Sequence, residues 1–426
     1  MSKSTALSVA WLSSLSLSLI LAPSAIGCRS SAPEIVVVKR AVGDKCNEDS
    51  ECQGLDSTCH NGLCTHACAD DKGCPKPTKC FFSKCQEELT VAGIWVGLAH
   101  RSEGWTIAHH EGIVDANRRL GYLKYEYAEE VLSTSENADD IVEEFINPAD
   151  PLKKGAQVII ANSSDHTAQV TKWAARYPNT TFIQYSGRAN GTNVGSYSGR
   201  MEHAWYIAGR IAARKSNTKH LGYIGSFVTA EVVRYINAFT LGARSEDPAV
   251  IVEARWVGFW YDVGFDRREW KYEPLHMGTK SAVQNLTAEE YLTAKLIDSG
   301  ADVITHNMDN QRVSKYIHKH TKDGTLRNSR NIRSDQPFDV WSIAVDNEKG
   351  YLDENGVAYS NTIGAVYWNW GPAYADMLEL VHRGAFEGKA YIYPLTSDSA
   401  TSVVGFSLSP AYDQVSSLDL RRMINK

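Results

Sequence analysis

Val91-Ala92-Gly93-Ile94-Trp95-Val96-Gly97-Leu98 is a short apolar run that reads as a strand. His109–Leu120 reads as the helix that follows it, and Tyr122–Tyr127 as the next strand. Ile141–Phe145 (helix), Gln157–Ala161 (strand), Ala168–Arg176 (helix) and Thr181–Tyr185 (strand) continue the alternation. Later strands are expected at Leu221–Ile224, Val250–Val257, Val303–His306, Val340–Ala344 and Thr362–Trp368. Strands separated by single helices imply an α/β fold with parallel sheets and right-handed crossovers. The length from Leu89 to the end suits two such sheets. In sheets of this kind a ligand sits beyond the carboxyl ends of the strands, where the strand order switches. Phe265–Asn285 and Lys322–Phe338 interrupt the pattern as polar insertions with no assigned function.

Working outward from that core, the 426-residue chain is too long for one compact domain. Met1–Lys3 is a short basic start, and Ala6–Ala22 is mostly apolar but short for a membrane span. Ala25-Ile26-Gly27-Cys28 follows. Small residues before a Cys resemble a bacterial lipobox, although Ala25 stands where Leu is usual. Cys28 is therefore the expected lipidation site, against the competing reading of an ordinary cleaved signal. The organisation expected is a signal peptide over 1–27, a tether over 28–45, a Cys-rich module over 46–85 and a two-lobed domain over 89–426.

Of nine Cys, eight form one block: Cys46, Cys52, Cys59, Cys64, Cys68, Cys74, Cys80 and Cys85. The block looks like a tandem repeat, with gaps of five, six and four residues and then five, five and four. An even block plus one odd Cys at the lipobox fits four disulfides and one lipid attachment. Units of about twenty residues cannot bury a sufficient core, so crosslinks must replace it. The block lacks the Cys-x2-Cys knuckle expected of zinc, and no metal is assigned. It carries no catalytic signal and reads as a spacer or docking module.

Charge and motifs then narrow the function. The net charge of −6 gives no reason to expect a nucleic-acid partner. The sequence has no Gly-x-Ser-x-Gly elbow, no His-Glu-x-x-His, no phosphate-cradling Gly-Lys-Ser/Thr loop and no dinucleotide Gly-rich turn. An enzyme is therefore not expected, nor a cofactor. His109 and His110 are adjacent, so on a helix they diverge by about 100° and cannot easily share a metal.

At Trp105 the residues become distinctive. Gly104-Trp105 with Ala108-His109-His110-Glu111-Gly112 opens an ordered set of motifs. It continues through Glu129-Glu130-Val131, Asn193-Val194, Tyr206-Ile207-Ala208-Gly209 and the run from Glu231 to Arg244. Trp256–Asp262, Leu296–Thr305 and Trp368-Asn369-Trp370-Gly371-Pro372 complete it. This set resembles the basic membrane protein family of substrate-binding lipoproteins, the purine nucleoside receptors of ATP-driven importers. It covers nearly all of Leu89–Lys426 and leaves the Cys-rich block outside. The resemblance implies a type I periplasmic-binding-protein fold, with two Rossmann-like lobes joined by three crossing strands and hinged over a ligand. It also implies a purine held between two aromatic rings, one per lobe.

A flat heterocycle gains affinity by stacking, about 1–3 kcal/mol per base, and selectivity from hydrogen bonds at its edge. The resemblance places Trp105 and Trp260 as the stacking rings. It places Asp262 beside the second ring, although an Asp after a strand also suits a helix N-cap. It puts a ligand-contacting acid at Asp346 and a Ser of the facing loop at Ser163. Asp309, at another strand end, could bond a base edge. Glu231 could reach the ligand or simply favour the positive end of its helix. His109 could donate to the ligand or serve in packing.

Two positions depart from the family pattern. Ser102 stands near an Asp that the nucleoside receptors carry before the first aromatic. Trp368 stands where they carry a Lys that bonds ribose hydroxyls. An indole there would fill the sugar pocket, so a free nucleobase is expected over a nucleoside, unless Trp368 and Trp370 are core residues. The expected partners are thus a small purine, the permease of an ABC transporter and a bilayer holding the lipid anchor, with a monomer on the outer side of a bacterial membrane. The competing readings are a ligand sensor or surface adhesin on the same fold and, less favoured, a hydrolase acting on nucleosides. Four Asn-x-Ser/Thr sites, at Asn162, Asn179, Asn190 and Asn285, recur at chance frequency.

Overall fold

The computed structural model describes residues 57–60, 63–69, 71–74, 78–81, 84–99, 104–188, 191–260, 270–277, 283–323, 326 and 339–425. The expected signal peptide, Cys28, the expected tether, Cys46, Cys52, Ser102 and Asp262 lie outside the described residues, as does most of Lys322–Phe338.

The Cys-rich block holds two antiparallel hairpins, β1 (Ser57–His60) with β2 (Leu63–His66) and β3 (Lys79–Phe81) with β4 (Lys84–Gln86). Cys59 lies opposite Cys64 in the first, as Cys80 lies opposite Cys85 in the second, so the sequence repeat is also a structural one. Disulfides join Cys68 to Cys80 and Cys74 to Cys85. They supply the constraint that so short a chain cannot draw from a core. The block is seated on the main domain. Phe81 packs against the main core, Lys154 Nζ donates to Glu88 O at 2.8 Å, and His382 Nε2 lies 3.0 Å from Glu87 O.

Two residues later the first lobe begins. Its strands are β5 (Leu89–Ile94), β6 (Leu123–Ala128), β7 (Val158–Ala161), β8 (Thr181–Tyr185) and β9 (Val194–Gly199), with helices α1 (Trp105–Leu120), α2 (Ala138–Ile146) and α3 (Thr167–Arg176). The second lobe follows α4 (Met201–Lys215). It contains β10 (His220–Gly225), α5 (Ala230–Glu246), β11 (Ile251–Trp256), the hairpin β12 (Trp270–Tyr272) and β13 (Gln284–Leu286), α6 (Ala288–Ser299), β14 (Val303–His306), α7 (Arg312–Lys322), β15 (Trp341–Asp346) and β16 (Thr362–Trp368). The chain ends with α8 (Trp370–His382), β17 (Ala390–Tyr393), β18 (Val404–Leu408) and α9 (Ser417–Ile424).

The first sheet runs β17-β9-β8-β7-β5-β6 and is parallel throughout. The second runs β11-β10-β14-β15-β16-β18 and is parallel except for β18. Strands β5, β7, β14 and β16 are buried along their whole length, as expected when helices cover both faces of a parallel sheet. The chain crosses between lobes after β9, after β16 and between β17 and β18. That gives the expected α/β architecture of two lobes and three crossings.

Local chemistry sets the element ends. Gly121, at φ 80°, closes α1 in the left-handed conformation, with its N–H on Asn117 O. Thr229 caps α5 through Val232 N, and Thr287 with Glu290 forms a capping box on α6. Helices α4 and α5 approach through Gly209 and Gly242. A Cβ on either would lie 2.0 Å from a carbonyl oxygen of the other helix. These two motif glycines therefore serve helix packing.

Three expectations change. The first strand stops at Ile94 because Trp95 turns to bond Ala128 and Val131, while Val96 N donates to Asn162 Oδ1. Helix α1 starts at Trp105, four residues before His109. The segment Phe265–Asn285 contains a hairpin strand and a buried His276, whose ring and main chain are both fixed by Asp298.

Candidate functional site

Both sheets switch direction of growth at the strand next to one edge. In the first, β6 and β7 lie on opposite sides of β5; in the second, β11 and β14 lie on opposite sides of β10. Helices leaving such a pair of strands go to opposite faces and open a crevice at the carboxyl ends. Trp105 follows β5 and Ser163 follows β7. Glu231 follows β10, Trp260 follows β11 and Asp309 follows β14. Asp346 ends β15 and Trp368 ends β16.

Trp105 is the first residue of α1 and partly buried. Its indole Nε1 donates to Asn162 O at 2.8 Å, which ties it to the loop of Ser163. The ring meets His109 (4.3 Å), Tyr185 (4.6 Å) and Trp368 (5.6 Å) edge to face. Such contacts suit the aromatic quadrupole and fix the ring plane. Ser163 Oγ accepts from Asp165 N and caps a short 3-10 turn. Asn162 is fully buried, so one of the four Asn-x-Ser/Thr sites lies inside the fold.

Asp346 and Asp309 form the charged part of the site. Burial raises both carboxyls, and the Asp309 charge raises Asp346 further, against a hydrogen bond from the Trp368 indole. The ionisation of Asp309 therefore opposes that of Asp346. Asp346 Oδ2 is enclosed and has no hydrogen-bond partner. Asp346 also holds φ 66°, a left-handed conformation that costs energy in a non-glycine residue.

Trp368 links these two groups. It is 7% exposed, stands beside the Asp346 carboxyl and meets Trp105 edge to face. It also stacks on Trp370 at 4.7 Å and 10°. Trp370 in turn stacks on His109 at 4.8 Å and 14°. His109 Nδ1 lies 2.5 Å from Tyr374 Oη and 3.2 Å from Tyr197 Oη. Burial lowers its pKa well below the usual range, so the ring is neutral. Its Nε2 is enclosed without a partner. His110 points elsewhere, toward Tyr125 and Tyr127.

Across the lobes, Glu231 Oε1 accepts hydrogen bonds from Tyr185 at 2.6 Å and Tyr235 at 2.5 Å. Gly104, at φ 104°, lies against Asp309, whose N–H bonds Trp260 O at 3.2 Å. The Trp260 ring lies 5.9 Å from Phe227. Trp105, His109, Trp368 and, through Tyr185, Glu231 thus form one connected cluster, with Asp346 beside Trp368; Trp260 and Asp309 meet through the main chain, the Ser163 side chain bonds only Asp165 N, and Asp262 lies outside the described residues. Tyr185, Tyr197, Tyr374 and Trp370 are part of the same cluster. Tyr185 was detectable only as a polar-tipped aromatic at a strand's carboxyl end, and Trp370 only through the Trp-x-Trp spacing.

Residues 92–268 match the family described as ABC transporter substrate-binding protein, PnrA-like. The match to this Bmp family model covers 177 of the 426 residues. The Bmp segment spans the first lobe and the start of the second. A relative from Haloferax volcanii, named as an ABC transporter glucose-binding protein, is 26% identical over 72% of this chain and 64% of its own length. The chain thus spans under two thirds of that relative. A purine-binding protein of Brucella abortus is 27% identical over 71% of this chain and 72% of its own. Among solved structures, an ABC transporter solute-binding protein from Conexibacter woesei superposes with a TM-score of 0.55 at 14% identity, over 79% of this chain and 94% of its own. A solute-binding protein from Aeropyrum pernix gives 0.53 at 13% identity, over 79% and 85%. These two establish the two-lobed fold shared with the Bmp segment. Among the described residues no helix is long and apolar enough to cross a membrane.

Proposed function

We propose that this chain is a Bmp-family protein, the extracytoplasmic, non-enzymatic binding component of an ATP-driven importer, tethered through Cys28. In this reading it takes a purine base in preference to a nucleoside, with the domain division set out above. The observation that carries this reading is Trp368, whose indole stands beside the Asp346 carboxyl while its ring meets Trp105 edge to face. A planar heterocycle against Trp105 and Trp260 would offer its amino or ring N–H edge to Asp346 Oδ2. The indole at 368 leaves no charged donor for ribose hydroxyls and fills their space. The Brucella relative's name supports a purine.

Glucose is the second reading, favoured by the Haloferax relative's name and by the affinity of aromatic rings for sugar faces. Native mass spectrometry of protein purified from its own host separates the two. A co-purifying nucleobase supports the proposal. A co-purifying hexose or nucleoside overturns it.

A further inference from the structure

The Glu231 carboxylate accepts two phenols that arrive from different lobes. Tyr235 lies one turn along α5 and belongs to the same lobe as Glu231. Tyr185 ends β8 in the other lobe. Both tyrosines are buried, at 6% and 5% exposure, and both hydroxyls converge on Oε1. A hydrogen bond to a carboxylate is stronger than one between neutral groups. The bond lies directly behind the first stacking ring, since the Tyr185 ring meets Trp105 edge to face at 4.6 Å.

We infer that Tyr185 and Glu231 form a latch that holds the two lobes together and, through the Tyr185 ring, sets the plane of Trp105. Glu231 is then a positioning residue rather than a ligand contact. Tyr235 holds the carboxylate toward the opposite lobe and keeps it from being an orphan when the lobes part. Closing the lobes therefore carries its own hydrogen bond, independent of cargo. A ligand lying on Trp105 finds that ring already oriented, which lowers the ordering cost of binding. Opening the lobes breaks one bond to a charged group and releases the ring. The link to ligand rests on the proposed stacking role of Trp105; the latch does not.

Hydrogen exchange of the ligand-free full chain, followed by mass spectrometry, tests the latch. Tyr185→Phe removes only the hydroxyl and keeps the ring. Tyr235→Phe removes a bond within one lobe and serves as the comparison. The expected result is exchange at Ser163–His166 and Phe227–Thr229 faster by roughly tenfold in Tyr185→Phe, the scale of one lost charge-assisted bond, with a clearly smaller change in Tyr235→Phe. Unchanged exchange in Tyr185→Phe, or equal acceleration in both variants, overturns the inference. Should Tyr185→Phe fail to fold, Glu231→Leu removes the acceptor from the other lobe and is expected to speed exchange by at least as much. No ligand enters the measurement, so its outcome does not depend on what the cargo proves to be.

Discussion

Gly104 of the first lobe lies so close to Asp309 of the second that a Cβ on it would sit 2.5 Å from the Asp309 carbonyl oxygen. Its φ of 104° is also one that side-chain-bearing residues rarely adopt. The contact joins the loop that presents Trp105 to the strand end that presents Asp309. Gly104→Ala meets both obstacles at once. We expect it to weaken ligand binding at least roughly tenfold, from about 1–3 kcal/mol of strain and clash at the closed interface. The melting temperature should fall less than a core truncation would lower it. Calorimetric titration alongside thermal melting checks the pair of outcomes.

The Asp309–Asp346 pair makes a pH prediction. Both carboxyls titrate above their unfolded values, so between those values and the folded ones the native state holds more protons than the unfolded state. This contribution to stability is present at low pH and lost as pH rises through the folded values. Asp346→Asn removes it. The variant should therefore gain stability relative to the parent as pH rises from 5 to 8, by about 1 kcal/mol per unit of displaced pKa. Melting curves across that range read the difference. The same change replaces an acceptor by a donor on one side of the group, so ligand binding should weaken even as stability rises.

Trp368 sets the predicted preference of base over nucleoside. Trp368→Ala removes the stack on Trp370 and the indole donor to Asp346. Truncating a buried Trp costs about 3–5 kcal/mol of stability. We expect weaker adenine binding, and an adenosine-to-adenine affinity ratio that rises by about tenfold as space opens for the sugar. Competition titrations with the two ligands measure the ratio. A ratio that stays fixed would return Trp368 to a purely structural role.

His109 tests how far the aromatic stack serves binding. Its neutral ring sits between Trp370 and the edge of Trp105, with Nδ1 beside Tyr374. His109→Phe keeps the ring and leaves the Tyr374 and Tyr197 hydroxyls bonded only to each other. We expect a stability loss of about 1–3 kcal/mol from the altered hydrogen bonding. Loss of ligand affinity beyond that of Tyr374→Phe would show that Nε2 reaches the ligand.

Much of this was readable in the chain itself. A buried run such as Val158–Ala161 announces a central parallel strand, because a strand covered on both faces is apolar at nearly every position. Trp105, Ser163 and Trp260 were assigned from the resemblance and Asp309 from its place at a strand end; in the fold Trp105 follows a switch strand and the other three follow strands flanking one. The side-chain pairings could not be read in that way. Nothing local to Tyr185 and Glu231, 46 residues apart, says that they bond. The Trp368–Trp370–His109 stack forms only when α8 returns to the first lobe and packs on α1. Gly209 and Gly242 fall in two of the motifs that carry the resemblance, and each permits a close helix crossing that the motif alone does not announce.

The most direct test is calorimetric titration of the full chain with adenine, adenosine, guanosine and glucose, repeated on Trp105→Ala and Trp260→Ala. The account predicts tightest binding of adenine, weakened by about 1–3 kcal/mol in each variant as one stacking face is lost. Tight binding of guanosine or glucose with no response to adenine, or adenine binding that ignores both substitutions, would contradict it.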